Sequence, residues 1–257
     1  MDAPDDVLVA RLRAAGCVFA EDEAALLRAT ARDPAELEAM TSRRVDGEPL
    51  EHVVGWAELC GLRVGVDRGV FVPRRRSALL ARTAAALAAP GDVVVDLCCG
   101  SGALGLVVAT LSPGVTVHAC DIDPVAVSCA ARNLAPVGGA AYVGDLYDAL
   151  PQQLRGRATV VVANVPYVAT RDLGTLPHEA RDHEPRATLD GGDDGLDVAR
   201  RAVAEARDWL RPSGSVLVET TAEQAYTLEE WARDHGGAAR TVVDDNLDAT
   251  VVVTTYG

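Results

Sequence analysis

The 257-residue sequence contains no lysine, so arginine fills all 24 of its Lys and Arg positions. We interpret this as the codon bias of a GC-rich genome, because no function requires every cation to be a guanidinium. Six cysteines are present, but none forms a CxxC pair or has the spacing to histidine that is typical of zinc sites. We therefore expect no metal site and reduced thiols. Four of the cysteines are predicted to be small core residues: Cys98, Cys99, Cys120 and Cys129.

Export and membrane signals are also missing. The first ten residues, MDAPDDVLVA, are acidic and lack the basic and apolar regions of a signal peptide. No apolar run reaches the roughly 20 residues of a membrane-spanning helix. The sequence thus predicts a cytoplasmic protein without a membrane partner. A net charge of −14 and a pI near 4.7 further disfavour a general nucleic-acid binder, because such a surface repels phosphates.

The chain is predicted to have a small amino-terminal part and a larger carboxyl-terminal domain. Its 49% apolar and 24% charged residues are typical of a folded protein. Residues 5–46 show helical spacing of apolar side chains, with Asp33-Pro34 as the start of a third helix. Residues 53–72 have the Gly, Val and aromatic content of a β-hairpin and connector. We assign 1–50 to a helical region, 51–75 to the hairpin connector and 76–257 to the main domain.

Strand and helix patterns alternate through the main domain. Continuous Val-rich strands separated by amphipathic helices predict an α/β fold with a mostly parallel sheet covered on both faces. The last two strands are joined by DDNLD, which is too short for a crossover helix, so they are predicted to form an antiparallel hairpin. The predicted strands are 92–97, 115–121, 140–143, 159–163, 214–219, 239–244 and 249–255, and the helices 76–89, 103–111, 124–134, 196–210 and 223–235.

Acidic residues end three successive predicted strands. Asp96 precedes a glycine-bearing turn, Asp121 could accept hydrogen bonds from a ribose diol, and Asp145 could accept the exocyclic amine of adenine. These side chains meet at the carboxyl edge of the sheet, where open α/β sheets bind their ligands. Each also has a structural interpretation as the cap of a turn or helix. GSGALG, residues 100–105, equally satisfies the weak G-x-G-x-x-G pattern of dinucleotide sites.

The apolar strand in VVVANVPYVAT, residues 160–170, leads into four residues whose chemistry fits a planar nitrogen. The Asn164 side-chain oxygen and the Val165 backbone carbonyl can each accept one N–H. Pro166 stiffens the turn, and Tyr167 can pack on the planar group. The structural alternative is that Asn164 caps a turn and Tyr167 is a core residue. The irregular stretch 168–195 follows, and loops of that length are usually functional or disordered.

These motifs resemble those of class I S-adenosylmethionine-dependent methyltransferases. The resemblance implies a seven-stranded, mostly parallel Rossmann-like sheet with an antiparallel C-terminal strand, and S-adenosylmethionine as cofactor. Cys98 stands where the family usually has its first loop glycine. The cofactor-binding residues that it implies are Asp96, Cys98, Cys99, Gly100, Ser101, Gly102, Asp121, Ile122, Gly144, Asp145, Leu146 and Asn164.

From residue 48 onward the chain is similar to the protein-(glutamine-N5) methyltransferases (the HemK/PrmC and PrmB group). The similarity lies in EPLEHVVGWAELCGLRVGVDRGVFVPR, in HEPRATLDGGDDGLDVARRAV and in VETTAEQA. It implies methylation of a protein glutamine, in a release factor or a ribosomal protein, with nucleic acid met only through the ribosome. It also makes the amino-terminal helices a substrate-recognition region. The implied catalytic and substrate residues are Asn164, Val165, Pro166 and Tyr167, with Glu184 added for the substrate.

Two departures from that family bear on the substrate. Val165 replaces the first proline of the Asn-Pro-Pro-Tyr signature, which leaves the turn less rigid. Arg74, Arg75 and Arg76 stand where the connector usually carries proline and acidic residues. They could recognise an acidic peptide or form a solvated helix start. His183 and Glu184 could likewise orient a peptide or tether their loop.

Three other functions compete with glutamine methylation. An N6-adenine nucleic-acid methyltransferase would share the Asn164–Tyr167 chemistry but conflicts with the acidic charge. An NAD-dependent dehydrogenase would explain the glycines but would leave Asp145 and Asn164 without a role. A non-catalytic protein that binds S-adenosylmethionine is compatible with Cys98 and Val165.

Overall fold

The computed structural model describes residues 4–176 and 184–257. Its main feature is a seven-stranded sheet with the order β5-β4-β3-β6-β7-β9-β8. Strands β3 to β7 are parallel, and β9 runs antiparallel to both of its neighbours, β7 and β8. The strands are β1 (Trp56–Leu59), β2 (Leu62–Gly65), β3 (Val93–Leu97), β4 (Thr116–Asp121), β5 (Ala140–Val143), β6 (Ala158–Ala163), β7 (Leu210–Thr220), β8 (Ala238–Asp244) and β9 (Ala249–Thr255).

Helices cover both faces of this sheet. Along β6 all six residues are buried, and successive side chains enter opposite cores: Val160 and Val162 on one face, Val161 and Ala163 on the other. Helices α5, α6 and α7 pack on the first face, and α8 and α9 on the second. The helices are α1 (Pro4–Ala14), α2 (Ala20–Thr30), α3 (Pro34–Val45), α4 (Leu50–Val54), α5 (Ala78–Leu87), α6 (Ala103–Leu111), α7 (Pro124–Leu134), α8 (Asp197–Trp209) and α9 (Ala222–Asp234).

The predicted fold class is confirmed, with several local differences. The last two strands form the expected antiparallel hairpin. The region 53–72 is not hairpin throughout: α4 occupies its start, and the paired strands lie within 56–65. Strand β7 begins at Leu210, four residues before the predicted 214, because Leu210 already pairs with Ala158. No helix in the described ranges has both the length and the apolar character to cross a membrane.

The amino-terminal helices form a small core of their own. Leu12 and Leu27 are fully buried there, and Met40 and Val53 are nearly so. Helix α3 begins as predicted, because the Asp33 carboxylate accepts a hydrogen bond from the Glu36 backbone N–H. Whether these helices are a separate substrate-recognition unit stays a prediction.

Asn133 on α7 joins the connector hairpin to the loop that follows β3. Its Oδ1 accepts a hydrogen bond from the Gly65 N–H at 3.0 Å, and its Nδ2 donates to the carbonyl oxygens of Gly65 and Ser101, both at 2.8 Å. A side chain at Gly65 would crowd this contact, since a Cβ there would lie 3.0 Å from Oδ1. One amide therefore holds three backbone groups in register.

We predict that Asn133→Ala destabilises the protein by about 2 kcal/mol or more, because it leaves partly buried backbone groups without their partners. Chemical denaturation would measure the free energy of unfolding. Arg132→Ala on the same helix is the control, because it removes only exposed contacts: an ion pair with Asp67 and a hydrogen bond to Ser128. Equal effects of the two substitutions would contradict the role given to Asn133.

Candidate active site

A cleft of about 880 Å³ opens at the carboxyl ends of β3, β4 and β6. Parallel strands place these ends at one edge of the sheet, so residues far apart in sequence share the cleft. Its walls also include the end of the connector and the segment that follows β6. The residues that line the cleft include Phe71, Arg74, Arg76, Cys98, Gly100, Asp121, Ile122, Asn164, Val165, Pro166, Tyr167 and Glu184.

The turn after β3 brings backbone to the cleft. Cys98, Gly100 and Gly102 all have positive φ angles, of 51°, 53° and 74°. Gly102 also packs against α7, where an added Cβ would lie 3.0 Å from that of Ala130. Cys98 is half-buried and lines the cleft, which corrects its assignment to the core. Burial raises the pKa of its thiol, with a contribution from nearby Asp121, so the thiol stays neutral.

Three residues predicted to bind the cofactor, two within this turn and one just before it, do not line the main cleft. Cys99 and Ser101 are buried and do not line the main cleft. Asp96 is fully buried, and its Oδ2 accepts a hydrogen bond from the Gly105 N–H at 2.9 Å. Burial raises the pKa of Asp96 from 3.8 to about 8. Asp96 thus supports the start of α6 as a largely protonated acid at neutral pH.

Asp121 faces the cleft at the end of β4. Its carboxylate accepts hydrogen bonds from the N–H groups of Gly100 at 2.9 Å and Asp123 at 3.0 Å. Burial raises the pKa of Asp121, and these two hydrogen bonds oppose that rise. Ile122 is 64% exposed and forms part of the cleft wall. Asp123 caps α7 by accepting a hydrogen bond from the Val125 N–H at 2.8 Å.

The end of β5 adjoins that of β4, because the Gly144 N–H donates to the Asp121 carbonyl at 2.9 Å. Asp145 is exposed and pairs with Arg201 at 3.0 Å. Leu146 starts a 3-10 turn at Leu146–Ala149 that directs its side chain into the core, where it is 4% exposed. Gly144 is required by packing, because a Cβ there would lie 2.9 Å from the Ala149 Cβ. Asp145 lies close enough to Cys98 to contribute to the raised pKa of its thiol, so the assignment of Asp145 and Leu146 to the cofactor stays a prediction.

The turn after β6 brings Asn164, Val165, Pro166 and Tyr167 together at the cleft. The Asn164 Nδ2 donates to the Ser77 Oγ at 3.3 Å, which leaves Oδ1 without a hydrogen-bond partner in the described part of the chain. Val165 is 2% exposed, so its side chain anchors the turn in the core. The Tyr167 carbonyl accepts a hydrogen bond from Gln224 Nε2 at 2.9 Å.

Arg74 and Arg76 line the cleft with partly exposed side chains, so recognition of an acidic peptide by them stays a prediction. Arg74 pairs with the buried carboxylate of Glu184. Arg76 donates to the Tyr167 hydroxyl and lies 3.4 Å from Glu219 Oε1. Burial raises the pKa of Glu219, an effect opposed by Ser77 and Arg76.

Arg75 alone of the three arginines is exposed. Our sequence analysis missed Ser77, Glu219 and Gln224 as residues of this site. A charged residue at the end of the buried strand in SVLVE, and the Glu-Gln pair in VETTAEQA, were the available signals.

Glycines of the segment 189–195 enclose the turn from behind. The Gly191 N–H donates a hydrogen bond to the Val168 carbonyl at 2.8 Å. A Cβ on Gly191 would lie 2.6 Å from the Pro166 carbonyl oxygen. A Cβ on Gly195 would lie 2.3 Å from the Tyr167 carbonyl oxygen. The run LDGGDDGLD thus contains glycine where backbone meets backbone. His183 lies outside the described residues.

The cleft suits a nucleotide-like cofactor with an apolar and a polar end. Its volume lies within the roughly 300–1,000 Å³ of small-molecule sites. Phe71 and Ile122 provide apolar walls, Asp121 provides carboxylate acceptors, and the turn at Gly100 exposes backbone. No group of three His, Cys, Asp or Glu side chains within 4–176 and 184–257 is arranged to hold a metal ion.

The sheet is parallel except for β9, and a cleft opens where β3, β4 and β6 end. This is the arrangement of a class I methyltransferase, and comparison with known proteins agrees. The Methyltransferase small domain family matches residues 62–179. A methyltransferase structure from Pyrococcus furiosus shares the fold, with a TM-score of 0.59 at 15% identity, and covers 86% of this chain and 99% of that chain.

Two curated relatives define the family more narrowly. A Geobacter sulfurreducens protein named release factor glutamine methyltransferase is 36% identical over 201 residues, which are 76% of this chain and 70% of that protein. A Bordetella pertussis protein named ribosomal protein uL3 glutamine methyltransferase is 36% identical over 198 residues, 74% of this chain and 65% of that protein. The chain belongs to the protein-(glutamine-N5) methyltransferase family, and S-adenosylmethionine is its cofactor.

We predict that the protonated state of Asp96 makes stability depend on pH. The stabilisation is fully present below the ordinary pKa of 3.8 and is lost as pH rises toward about 8, because the unfolded chain releases the proton first. Asp96→Asn keeps an oxygen for the Gly105 N–H and cannot ionise. The free energy of unfolding should therefore fall less between pH 5 and 8 in the variant than in the parent. Parallel curves for the two proteins would show that Asp96 ionises normally.

Proposed function

We propose that this enzyme methylates the side-chain amide nitrogen of a glutamine in a peptide chain release factor. The observation that carries the proposal is the orientation of Asn164. Its Nδ2 is committed to Ser77, so its Oδ1 is available to accept an N–H from a planar amide in the cleft. Work on such a substrate would place the enzyme with the translation machinery in the cytoplasm.

The turn supplies two acceptors for the two N–H groups of the target amide. These would be Asn164 Oδ1 and the backbone carbonyl of Val165, which the side chain of Val165 anchors from the core. When bound, S-adenosylmethionine supplies an electrophilic sulfonium methyl group. Holding the amide in line with that group offsets the poor nucleophilicity of a nitrogen whose lone pair is delocalised into the carbonyl. As the N–C bond forms and the bond from the methyl group to sulfur breaks, which releases S-adenosylhomocysteine, both acceptors would stabilise the positive charge that grows on nitrogen; the nitrogen then loses a proton to solvent.

The cofactor would occupy the part of the cleft between the turn at Gly100 and the end of β4. Asp121 would accept hydrogen bonds from a ribose diol there, and Ile122 and Phe71 would cover an apolar ring, since all three line the cleft. The peptide would approach from the side of Tyr167 and Glu184. Asp145, which adjoins Asp121 through the Gly144 N–H, would accept the exocyclic amine of adenine.

A ribosomal protein is the second candidate substrate. The similarity to the relative named for ribosomal protein uL3 favours it. That relative and the release-factor relative are each 36% identical to this chain over the aligned residues. Nucleic acid is a weaker candidate, because the chain carries a net charge of −14 and its two cleft arginines are paired with Glu184 and Glu219.

We predict that the purified enzyme adds one methyl group to a glutamine of a release factor when supplied with labelled S-adenosylmethionine, and that Asn164→Ala loses at least about 100-fold in kcat, because the amide loses a positioned acceptor. Peptide mass spectrometry would locate the methyl group. Isothermal titration with S-adenosylhomocysteine would serve as control, since the variant leaves Asp121 and the turn at Gly100 unchanged and only a loss of all cofactor contacts would abolish binding.

Parallel reactions with ribosomal protein and with adenine-containing DNA would separate the alternatives. Label on ribosomal protein alone would move the substrate to the second candidate. Cofactor binding without label on any acceptor would leave a binding protein and overturn the proposal.

A further inference from the structure

Gln224 lies near the start of α9. It is hydrogen-bonded to its own helix and to the turn formed by residues 164–167, called the acceptor turn here. Its Nε2 donates at 2.9 Å to the carbonyl of Tyr167 and at 2.9 Å to the carbonyl of Asp194. Its Oε1 accepts from the hydroxyl groups of Thr220 at 2.9 Å and Thr221 at 3.2 Å. Both ends of one amide are therefore used, and the side chain joins three separate segments.

The two carbonyls that Gln224 binds belong to the turn and to the glycine segment behind it. Gly195 follows Asp194, and a Cβ on Gly195 would lie 2.4 Å from Gln224 Nε2. The segment is also bonded to the turn directly, through Val168 N–H to Leu189 at 3.0 Å and Gly191 N–H to Val168 at 2.8 Å. Gln224 thus fastens together two pieces of backbone that already touch.

The turn needs support from outside because of its own sequence. Val165 has no ring to fix its φ angle, so only Pro166 stiffens the turn from within. Tyr167 is held at both ends instead: its carbonyl by Gln224 and its hydroxyl by Arg76. The position of the Tyr167 carbonyl determines where the chain leaves the turn, and so where the Asn164 and Val165 acceptors point.

We propose that Gln224 is a positioning residue for methyl transfer, which holds the acceptor turn against the glycine segment by donating to the Tyr167 and Asp194 carbonyls. The inference rests on the proposed function for its catalytic part only. Gln224 touches neither substrate nor cofactor in this arrangement, and acts through the turn.

Two substitutions separate this role from that of Gln224 in its own helix. Gln224 also closes a capping box with Thr221, in which glutamate serves as well as glutamine. Gln224→Glu keeps the acceptor oxygen for Thr220 and Thr221, but sets an oxygen against the two carbonyls. Thr221→Ala does the reverse: it weakens the cap and leaves both donations to the turn intact.

The first measurement is hydrogen exchange of the Val168, Thr170 and Gly191 amides in the protein without substrate. Their hydrogen bonds join the turn to the glycine segment. Gln224→Glu should speed their exchange by about fivefold or more, the change expected for a lost hydrogen bond. Thr221→Ala should leave these amides unchanged while lowering Tm by about 2–4 °C.

The second measurement is methyl transfer to the protein substrate. Gln224→Glu should lower kcat by about ten- to a hundredfold, as misplaced acceptors do, with the Kd of S-adenosylhomocysteine within about twofold of the parent. Thr221→Ala should keep kcat. This split distinguishes positioning from general destabilisation.

Either measurement can overturn the inference. Unchanged exchange in Gln224→Glu would show that the turn does not depend on Gln224, whatever the activity. Faster exchange with an unchanged kcat would show that the contact is structural only. If the parent itself methylates no glutamine, the proposed function fails, and the exchange data alone then decide whether Gln224 positions the turn.

Discussion

The parallel register of β3 between β4 and β6 is the constraint on which the site depends. Because Leu97 pairs with both Cys120 and Ala163, the three strands end side by side. The next residues of each strand therefore enter one cleft, although the chain separates them by tens of positions. The hydrogen bond from the Gly100 N–H to the Asp121 carboxylate then ties two of these strand ends together. Cofactor and acceptor sites are thus neighbours because the strands are.

Charge is distributed in the cleft in a way that the overall composition hides. The chain is strongly acidic, yet the acceptor side of the cleft contains two guanidinium groups, each facing a buried carboxylate. Glu184 and Glu219 are almost fully buried, so each would be costly without its arginine. Arg74 and Arg76 therefore tie the residues before α5 to Glu184 and Glu219 at one wall of the cleft. The connector is part of the site and not only a spacer.

Most of the sheet could be predicted from the sequence, because buried parallel strands are continuous apolar runs and helices repeat every 3.6 residues. Asp121, Asn164 and Tyr167 could be placed as well, since each lies at or just after a strand end. The pairing of Asp145 with Arg201 could not be predicted, because the two residues lie 56 positions apart in the chain. The arginine pairs were missed for the same reason: nothing near Arg76 in the sequence indicates Glu219.

The backbone contacts behind the acceptor turn have an evolutionary consequence. Gly191 and Gly195 lie so close to the Pro166 and Tyr167 carbonyls that no side chain fits at either position. Substitution of either glycine is therefore excluded by packing. A lineage that acquires a new protein target must change residues elsewhere. The exposed Val18 and Phe19 between the first two helices, and the exposed end of the turn at Thr170–Thr175, have no such restriction. A change of target would therefore have to arise at positions other than Gly191 and Gly195, where the backbone leaves room for a side chain.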